Sequence, residues 1–305
     1  MPVRLVTYAR NGRRRLGALT PDEVVVDLPD AVGHPAFPTT MEALVQAGTG
    51  GLDVAREALG RGDGPERHAV PGARLLAPLH PGSLRDFHGF EGHVERSFAR
   101  GGEPVPDAWY EAPVYHKGNH RSVVGPDQEV PWPSFARRLD YEVEVACVLG
   151  GRGRDLDEEQ ARRLIFGYTL MNDWTAPDLQ RREMACRTGP AKATDFATSL
   201  GPCIVPADEI RPDRLTIEAR VDGETWSKGR LAESRWSFPR LIAYVSQGED
   251  VWPGDVYGSG TFDGGCGADL DRSLRPGAVV ELEAPGMGIL RNRVGSAPAA
   301  SAATR

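Results

Sequence analysis

The feature of this chain that most limits its fold is a long succession of short, strand-like runs between about residues 73 and 294, separated by glycine and proline. The runs are rich in β-branched and aromatic residues, which is typical of strands. Helix-like stretches are predicted only at 84–100, 157–164, 175–185 and 238–247. Few strand–helix–strand alternations occur, so a doubly wound parallel sheet is disfavoured. The pattern predicts an α+β fold that is mostly β.

The first 72 residues predict a small α+β domain of their own. Three strand-like runs, VRLVTYA, RRLGALT and EVVVDLP, precede the helix-like runs TTMEALVQAG and GLDVAREALG. A mixture of glycine, proline and arginine follows and marks the boundary. We therefore expect an N-terminal domain at 1–72 and a larger domain at 73–295. The small, polar residues of 296–305 predict a disordered tail.

The charge and hydropathy of the chain argue against two classes of partner, nucleic acids and membranes. The 305 residues include 36 Lys plus Arg and 43 Asp plus Glu, giving a formal net charge of −7. This acidic balance argues against a nucleic-acid partner, and no apolar run of about 18 residues predicts a membrane span. The N-terminus has no apolar signal core, so we expect a cytoplasmic protein. The four cysteines form no CxxC pair and predict neither a zinc site nor a disulfide framework.

Acidic residues alternate along one predicted strand, LDYEVEVA at 139–146. A period of two places Asp140, Glu142 and Glu144 on one face. A second, apolar strand at 165–171 leads to Asp173, and Asp86 stands in the predicted helix at 84–100. Neither pattern requires a functional site. The alternating acids are also consistent with a solvated strand edge, and Asp86 with an ordinary acid at a helix N-terminus.

Four of these acids could converge on one cation: Asp86, Glu142, Glu144 and Asp173. Without a cation, their mutual repulsion would raise the pKa of at least one carboxylate. A ligand set made only of oxygen favours Mg²⁺, Mn²⁺ or Ca²⁺ over Zn²⁺. The sequence therefore predicts a hard divalent metal site if the four acids meet.

Lysine is scarce in this chain. Only three of the 36 basic residues are lysine, namely Lys117, Lys192 and Lys228. A chain that otherwise uses arginine is expected to keep lysine where a compact ammonium with an adjustable pKa is needed. The alternative for each of the three lysines is that it is present by chance and has no special role.

Seven blocks in the same order resemble the fumarylacetoacetate hydrolase family. They are RDFHGFEGHVERS (85–97), YHKGNHRSVVGP (115–126), LDYEVEVACVLG (139–150), YTLMNDWTAPDLQ (168–180), AKATDFATSLGP (191–202), GDVYGSGTF (254–262) and LRPGAVVELEAPGMGILRNRV (274–294). The resemblance implies the family's mixed β-sheet roll with a barrel-like arrangement, a small N-terminal domain and a homodimer.

The resemblance also implies roles for individual residues. The family's metal ligands fall on the same four acids, and its catalytic histidine falls on His93, which we expect two turns along the helix that carries Asp86. A surface or capped histidine is the alternative. The implied catalytic donors are Lys192 and Gln180. The implied substrate-binding residues are Tyr115 or His116, and Thr261 in the GSGT turn, although GSGT is also consistent with a tight turn alone.

Three departures from the family pattern bear on these roles. Pro177 stands where the founding hydrolase has an arginine that binds the far end of its substrate. That enzyme holds its histidine with a glutamate beyond the GT turn, where this chain offers only Asp263 and Asp269. Some relatives use a histidine and a glutamate together on the lid helix. Here Glu91 and Glu95 flank His93, but neither clearly matches the spacing of that pair. The sequence leaves open which acid orients His93.

The implied function is that of a metal-dependent hydrolase cleaving a C–C bond in a dioxo acid, such as an acylpyruvate or a fumarylacetoacetate-like substrate. In this hypothesis the reaction passes through a metal-held enolate, Lys192 and Gln180 stabilise the developing charge, and His93 activates water. The same apparatus without that water would decarboxylate or tautomerise a 2-oxo acid. A non-catalytic protein that binds small carboxylates is the third hypothesis.

Overall fold

The structure is a computed structural model that describes residues 2–61 and 64–297. It contains 32% strand and 26% helix, which confirms the mostly β α+β class. From residue 298 onward, the predicted disordered tail lies outside the described residues. Among the helices described, none combines the length and apolar character needed to cross a bilayer.

The strands and helices alternate irregularly along the chain. The strands are β1 (Arg4–Arg10), β2 (Arg13–Leu19), β3 (Val25–Asp27), β4 (Ala69–Val70), β5 (Leu75–Leu76), β6 (Leu84–Phe87), β7 (Tyr115–Gly118), β8 (Val123–Val124), β9 (Glu129–Val130), β10 (Val143–Leu149), β11 (Ile165–Asp173), β12 (Thr198–Pro206), β13 (Thr216–Val221), β14 (Glu224–Arg230), β15 (Val256–Gly258), β16 (Val279–Ala284) and β17 (Gly288–Val294). The α-helices are α1 (Leu28–Val32), α2 (Met41–Gly60), α3 (Gly64–Arg67), α4 (Glu91–Gly101), α5 (Asp107–Glu111), α6 (Glu158–Arg163), α7 (Pro177–Ala185) and α8 (Phe238–Val245).

The strands form two sheets. The larger sheet has 12 strands, of which ten follow the order β4-β3-β2-β1-β12-β11-β10-β15-β6-β7, while β5 pairs with β1 and β8 with β12. The smaller sheet has the order β14-β13-β16-β17-β9. Among the described strands neither path returns to its start, so the sheets are not closed into the predicted barrel-like arrangement.

The N-terminal region shares both a sheet and a core with the rest of the chain. Strand β1 pairs antiparallel with β12, with Leu5 opposite Ile204. An apolar cluster also includes residues from both sides of the predicted boundary, among them Leu44 and Phe166. The two helices predicted after the first strands form α2, which is interrupted at Gly48, where φ is 61°. Glycine permits that backbone conformation because it has no Cβ. The domain division at residue 72 stays a prediction.

Strands β10, β11 and β12 lie at the centre of the large sheet, and every residue in them is buried. A carboxylate on such a strand must find a hydrogen bond, a counter-ion or a proton, because burying an unpaired charge is costly. The burial of these strands therefore makes the acids on them informative about function.

Three of the four predicted helices are confirmed as α6, α7 and α8. At α6 the local cause is a capping box, in which Asp157 accepts from the Gln160 backbone N–H while the Gln160 side chain accepts from that of Asp157. The predicted helix at 84–100 is wrong in its first half, where β6 is followed by a turn and then α4. At Gly89 a Cβ atom would lie 2.4 Å from the carbonyl oxygen of Ser259, so the turn requires glycine. Asp86 and His93 consequently lie on different elements.

Candidate metal centre and active site

The four predicted metal ligands converge at the middle of the large sheet. Asp86 comes from β6, Glu144 from β10 and Asp173 from the end of β11, while Glu142 immediately precedes β10. One oxygen each of Asp86, Glu142 and Glu144 lie within 4.8 Å of one another. Strand pairing produces this convergence, because β15 lies between β6 and β10, and β11 lies on the other side of β10.

Gly258 on β15 leaves the space into which two of the acids extend. A Cβ atom at this position would lie 2.5 Å from Oε2 of Glu144 and 2.8 Å from Oδ1 of Asp86. It would also lie 2.3 Å from Cε of Met171. All three distances are shorter than van der Waals contact, so the convergence requires glycine here.

Hydroxyl and amide donors fix one side of the cluster. Thr175 donates to Oε1 of Glu142 at 3.1 Å, and Thr261 donates to Oε2 of the same carboxylate at 3.2 Å. The Gly260 backbone N–H donates to Oε2 of Glu144 at 2.9 Å. Thr261, predicted to bind substrate, is therefore placed against a carboxylate of the candidate metal site.

Three buried carboxylate oxygens of this cluster have no hydrogen-bond partner among the described residues. They are Oδ1 of Asp86, Oε1 of Glu144 and Oδ2 of Asp173. The other oxygen of Asp173 accepts from Thr198 at 2.9 Å. Unpaired buried oxygens of this kind are costly unless a cation binds them, and a hard divalent ion has the matching chemistry. The residues present therefore fit a metal such as Mg²⁺ or Mn²⁺.

Burial shifts the ionisation of this cluster. It raises the pKa of Glu142 to about 8 and that of Asp86 to about 6, and the negative charge of Asp173 adds to both shifts. Burial also raises the pKa of Glu144 well above its ordinary value, and Asp86 adds to the shift. A bound cation favours the ionised carboxylates and would oppose these shifts.

Strand β7 presents His116 to the cluster. The Nε2 atom of His116 lies 3.5 Å from Oδ2 of Asp173, and Nδ1 lies 3.9 Å from Oδ2 of Asp86. The adjacent Tyr115 faces the other side of the strand, and its ring centroid lies 5.0 Å from that of Phe87. The sequence allowed either residue at the site, and the structure brings only His116 there because neighbouring strand residues point to opposite faces.

His93 is paired with Asp269. Its Nδ1 atom lies 2.8 Å from Oδ2 of Asp269, whereas Asp263 pairs with Arg96. Glu91 and Glu95 are exposed on α4. The acid that orients His93 in the structure is therefore Asp269.

The pairing also sets the charges of the two groups. Burial lowers the pKa of His93, but the hydrogen bond and charge of Asp269 outweigh burial and raise the pKa above its ordinary value. Burial raises the pKa of Asp269, but His93 and Arg100 outweigh it and lower the pKa to about 2. The ionised Asp269 is an acceptor only, so Nδ1 of His93 carries a hydrogen and donates it. In the neutral imidazole, Nε2 is then the nitrogen with a free electron pair.

A pocket of about 540 Å³ lies beside these groups. Its lining includes the acids Asp86, Glu142 and Asp173, the histidines His88, His93 and His116, and Gln180 on α7. Two further lining residues, Arg138 and Arg181, are exposed and form no ion pair with another residue in the described parts of the chain. The pocket thus has an acidic interior and arginines at its solvent-exposed margin.

Lys192 is not brought to this pocket. It is exposed, and its Nζ atom lies 5.0 Å from the centroid of the Phe135 ring. The carboxylate of Glu183 accepts from the backbone N–H groups of Ala191 and Ala193 and fixes the chain on either side of the lysine. Pro190 and Thr194, on either side of Lys192, line the pocket. Lys192 therefore lies outside the lining of the described pocket, and its predicted catalytic role stays a prediction.

Five residues in or beside the site were not predicted from the sequence: His88, Arg138, Thr175, Arg181 and Thr198. His88 lies two residues after Asp86, so reading this segment as an extended strand would have placed both on one face. Burial, together with the charges of the neighbouring His116 and His93, lowers the pKa of His88 to about 3. For Thr175 and Thr198 no local pattern distinguishes a hydroxyl that holds a carboxylate from one that does not.

Residues 83–295 match the profile of the family described as "Fumarylacetoacetate (FAA) hydrolase C-terminal". The chain belongs to the fumarylacetoacetate hydrolase family. Among its relatives, "Oxaloacetate tautomerase FAHD2A, mitochondrial" of Homo sapiens is 30% identical over 264 residues, covering 85% of this chain and 81% of that protein. "Oxaloacetate tautomerase YisK" of Bacillus subtilis is 35% identical over 192 residues, covering 62% and 61%. The match thus spans less than two thirds of YisK.

Solved structures share the fold over nearly the whole chain. A fumarylacetoacetate hydrolase from Exiguobacterium antarcticum has a TM-score of 0.76 and 25% identity, covering 96% of this chain and 99% of that one. The maleylpyruvate hydrolase from Sphingobium sp. SYK-6 has a TM-score of 0.71 and 21% identity, covering 96% and 99%. The second likeness shows the fold alone.

Proposed function

We propose that this protein is a metal-dependent tautomerase or isomerase of a small 2-oxo acid with two carboxylates. The observation that carries the proposal is the contrast between His93 and Lys192. His93, which can move a proton and is hydrogen-bonded to Asp269, lines the pocket, whereas the ammonium that would stabilise a hydrolytic oxyanion lies outside it. The relatives YisK and FAHD2A are named as oxaloacetate tautomerases, which supports the same choice.

The carboxylates Asp86, Glu142, Glu144 and Asp173 would hold the divalent ion. When bound, Mg²⁺ or Mn²⁺ would supply a Lewis acid that polarises the 2-oxo group and the adjacent carboxylate of the substrate. Thr175 and Thr261 would keep Glu142 oriented, so that its oxygens are available without rearrangement.

Nε2 of His93 would take the proton from the carbon next to the 2-oxo group and deliver it to a different atom of the same substrate. Asp269 keeps the proton on Nδ1 and stabilises the imidazolium that forms. The side-chain amide of Gln180 would donate to an oxygen of the substrate. Arg138 and Arg181, at the outer margin, are suited to a second carboxylate at the other end of the molecule.

The predicted C–C hydrolase remains the second candidate, and the size of the pocket favours it. About 540 Å³ is more than a four-carbon dioate needs, so a longer dioxo acid is compatible with the site. In this reading His93 activates water. The predicted decarboxylase and the non-catalytic carboxylate-binding protein are outcomes of the test below, and the homodimer stays a prediction.

The test compares three reactions on the same metal-loaded protein. Proton exchange at carbon 3 of oxaloacetate in D₂O is followed by NMR above the rate of the free metal, and acylpyruvate cleavage and CO₂ release are measured in parallel. The proposal expects exchange to be fast, to stop with a chelator and to return with Mn²⁺. Faster cleavage of an acylpyruvate would identify the hydrolase, and dominant CO₂ release the decarboxylase. Metal-dependent ligand binding with no reaction would identify the binding protein.

A further inference from the structure

The imidazole of His116 is buried without a hydrogen bond. Only 10% of the side chain is exposed, and among the described residues neither ring nitrogen has a hydrogen-bond partner. The nearest acidic oxygens, on Asp173 and Asp86, lie at 3.5 Å and 3.9 Å. His93, by contrast, meets Asp269 at the ordinary distance of 2.8 Å. His116 is therefore held close to two acids but beyond the usual distance of a hydrogen bond.

This spacing is that of ligands around a common ion. One nitrogen of His116 and one oxygen each of Asp86 and Asp173 lie within 4.8 Å of one another. Atoms bound to one ion at about 2.0 to 2.2 Å lie at most about 4.4 Å apart, so a small adjustment of side chains would bring all three into contact with it. The two carboxylates also have unpaired oxygens in the described structure, Oδ1 of Asp86 and Oδ2 of Asp173.

We propose that His116 is a ligand of the divalent ion and adds a nitrogen donor to the carboxylate set. This inference rests on the metal site of the proposed function. Imidazole favours Mn²⁺, Fe²⁺, Co²⁺ and Ni²⁺ relative to Mg²⁺ and Ca²⁺, which prefer oxygen alone. The site is therefore selective for transition metals, in contrast to the all-oxygen site that the sequence predicted. The competing account makes His116 a cationic partner of Asp86 and Asp173 with no bond to the metal.

Electron spin echo spectroscopy of the full chain loaded with Mn²⁺ separates the two accounts, because a nitrogen bound to Mn²⁺ modulates the echo. The wild type is expected to show ¹⁴N modulation, and His116→Gln is expected to lose it while still binding Mn²⁺. His88→Gln is the matched control: it changes another pocket histidine, whose ring centroid lies 6.3 Å from that of His116. The control is expected to keep the modulation.

The double variant His88→Gln/His93→Gln tests the inference without altering His116. It leaves His116 as the one histidine among the described residues that line the pocket, so retained ¹⁴N modulation assigns the nitrogen to His116 even if His116→Gln fails to fold. Calorimetry gives a second readout. His116→Gln is expected to weaken Ni²⁺ binding by about tenfold or more and Mg²⁺ binding by less than about threefold.

The outcomes separate this inference from the proposed function. Bound Mn²⁺ with no ¹⁴N modulation in the wild type, or loss of modulation in the double variant, would overturn the role of His116 and leave the metal-dependent reaction standing. Failure of the wild type to bind any divalent ion would overturn both.

Discussion

Nδ1 of His93 and Oδ2 of Asp269 lie 2.8 Å apart, although 176 positions separate the two residues in the chain. The pair joins α4 to the short 3₁₀ helix Ala268–Leu270. Asp269 also accepts from Arg100 and from the backbone N–H of Gly264. A carboxylate fixed from several directions can hold an imidazole in one tautomer.

Asp269→Asn is expected to lower the pKa of His93, because the hydrogen bond and charge of Asp269 are the main causes that raise it. The neutral base exists above its pKa, so the acid limb of the kcat/KM profile should move to lower pH. The plateau rate should also fall by about 100-fold, since loss of orientation impairs general-base catalysis. A pH–rate profile together with ¹⁵N NMR of His93 measures both effects. An unmoved acid limb would contradict the assignment.

Thr261→Val is expected to weaken metal binding by about tenfold, because the hydroxyl that orients Glu142 is lost. Thr261→Ser should restore the affinity, since it keeps the donor. Thr225→Val, which removes an exposed hydroxyl that donates to Glu218, is the control. Calorimetric titration with Mn²⁺ gives the affinities. Equal affinity in all four proteins would mean that Thr261 does not position a ligand.

Lys192→Gln is expected to change turnover by less than about threefold, because the lysine is exposed and its ammonium lies over Phe135. Electrostatic stabilisation of an oxyanion would instead require the ammonium in the pocket, and its loss would then reduce kcat by about 100-fold or more. The measurement is kcat at saturating metal and substrate. A loss of that size would favour the hydrolase.

Arg181→Gln is expected to raise KM by about tenfold for a 2-oxo acid with two carboxylates, through loss of a charge-assisted hydrogen bond. KM for a monocarboxylate analogue should hardly change. Arg182→Gln, one residue further along the exposed surface of α7 and outside the pocket lining, is the matched control. Parallel effects on both substrates would show that Arg181 does not recognise the second carboxylate.

Asp27→Asn is expected to lower the free energy of unfolding by about 2 to 3 kcal/mol. Asp27 is buried, accepts from the hydroxyl of Tyr8 and pairs with Arg10 and Arg15. Asp30 pairs with the same arginines but is 41% exposed, so Asp30→Asn should cost less than about 1 kcal/mol. Urea unfolding measures both. Equal losses would show that burial does not determine the contribution of this network.

The sequence predicted those features that depend on local periodicity. The alternation of acids around the start of β10 and the apolar run of β11 marked Glu142, Glu144 and Asp173 as candidate ligands, because strand period and burial can be recognised from neighbouring residues. Whether these acids meet was left open by the sequence. Asp86 was predicted in the right place for the wrong reason. Its strand has only four residues, too few for a pattern, and it pairs with β15, some 170 positions later.

The positions of side chains in irregular segments could not be predicted in the same way. The family resemblance, supported by the scarcity of lysine, predicted Lys192 in the pocket, but backbone hydrogen bonds to Glu183 fix the segment on either side of it. The choice between Asp263 and Asp269 depended on how the chain folds back beyond Thr261. Such contacts join distant residues through turns, and composition carries no signal for them.

Because Gly258 lies opposite Asp86, metal binding depends on the register in which β15 pairs with its neighbours. Gly258 faces Asp86 across the β15–β6 pair and Ala146 across the β15–β10 pair. If β15 paired one residue out of step, Tyr257 or Ser259 would stand at that point, and its side chain would occupy the space where the carboxylates meet. Only the native alignment leaves the cavity open, so a mispaired chain would be recognisable by its failure to retain the ion.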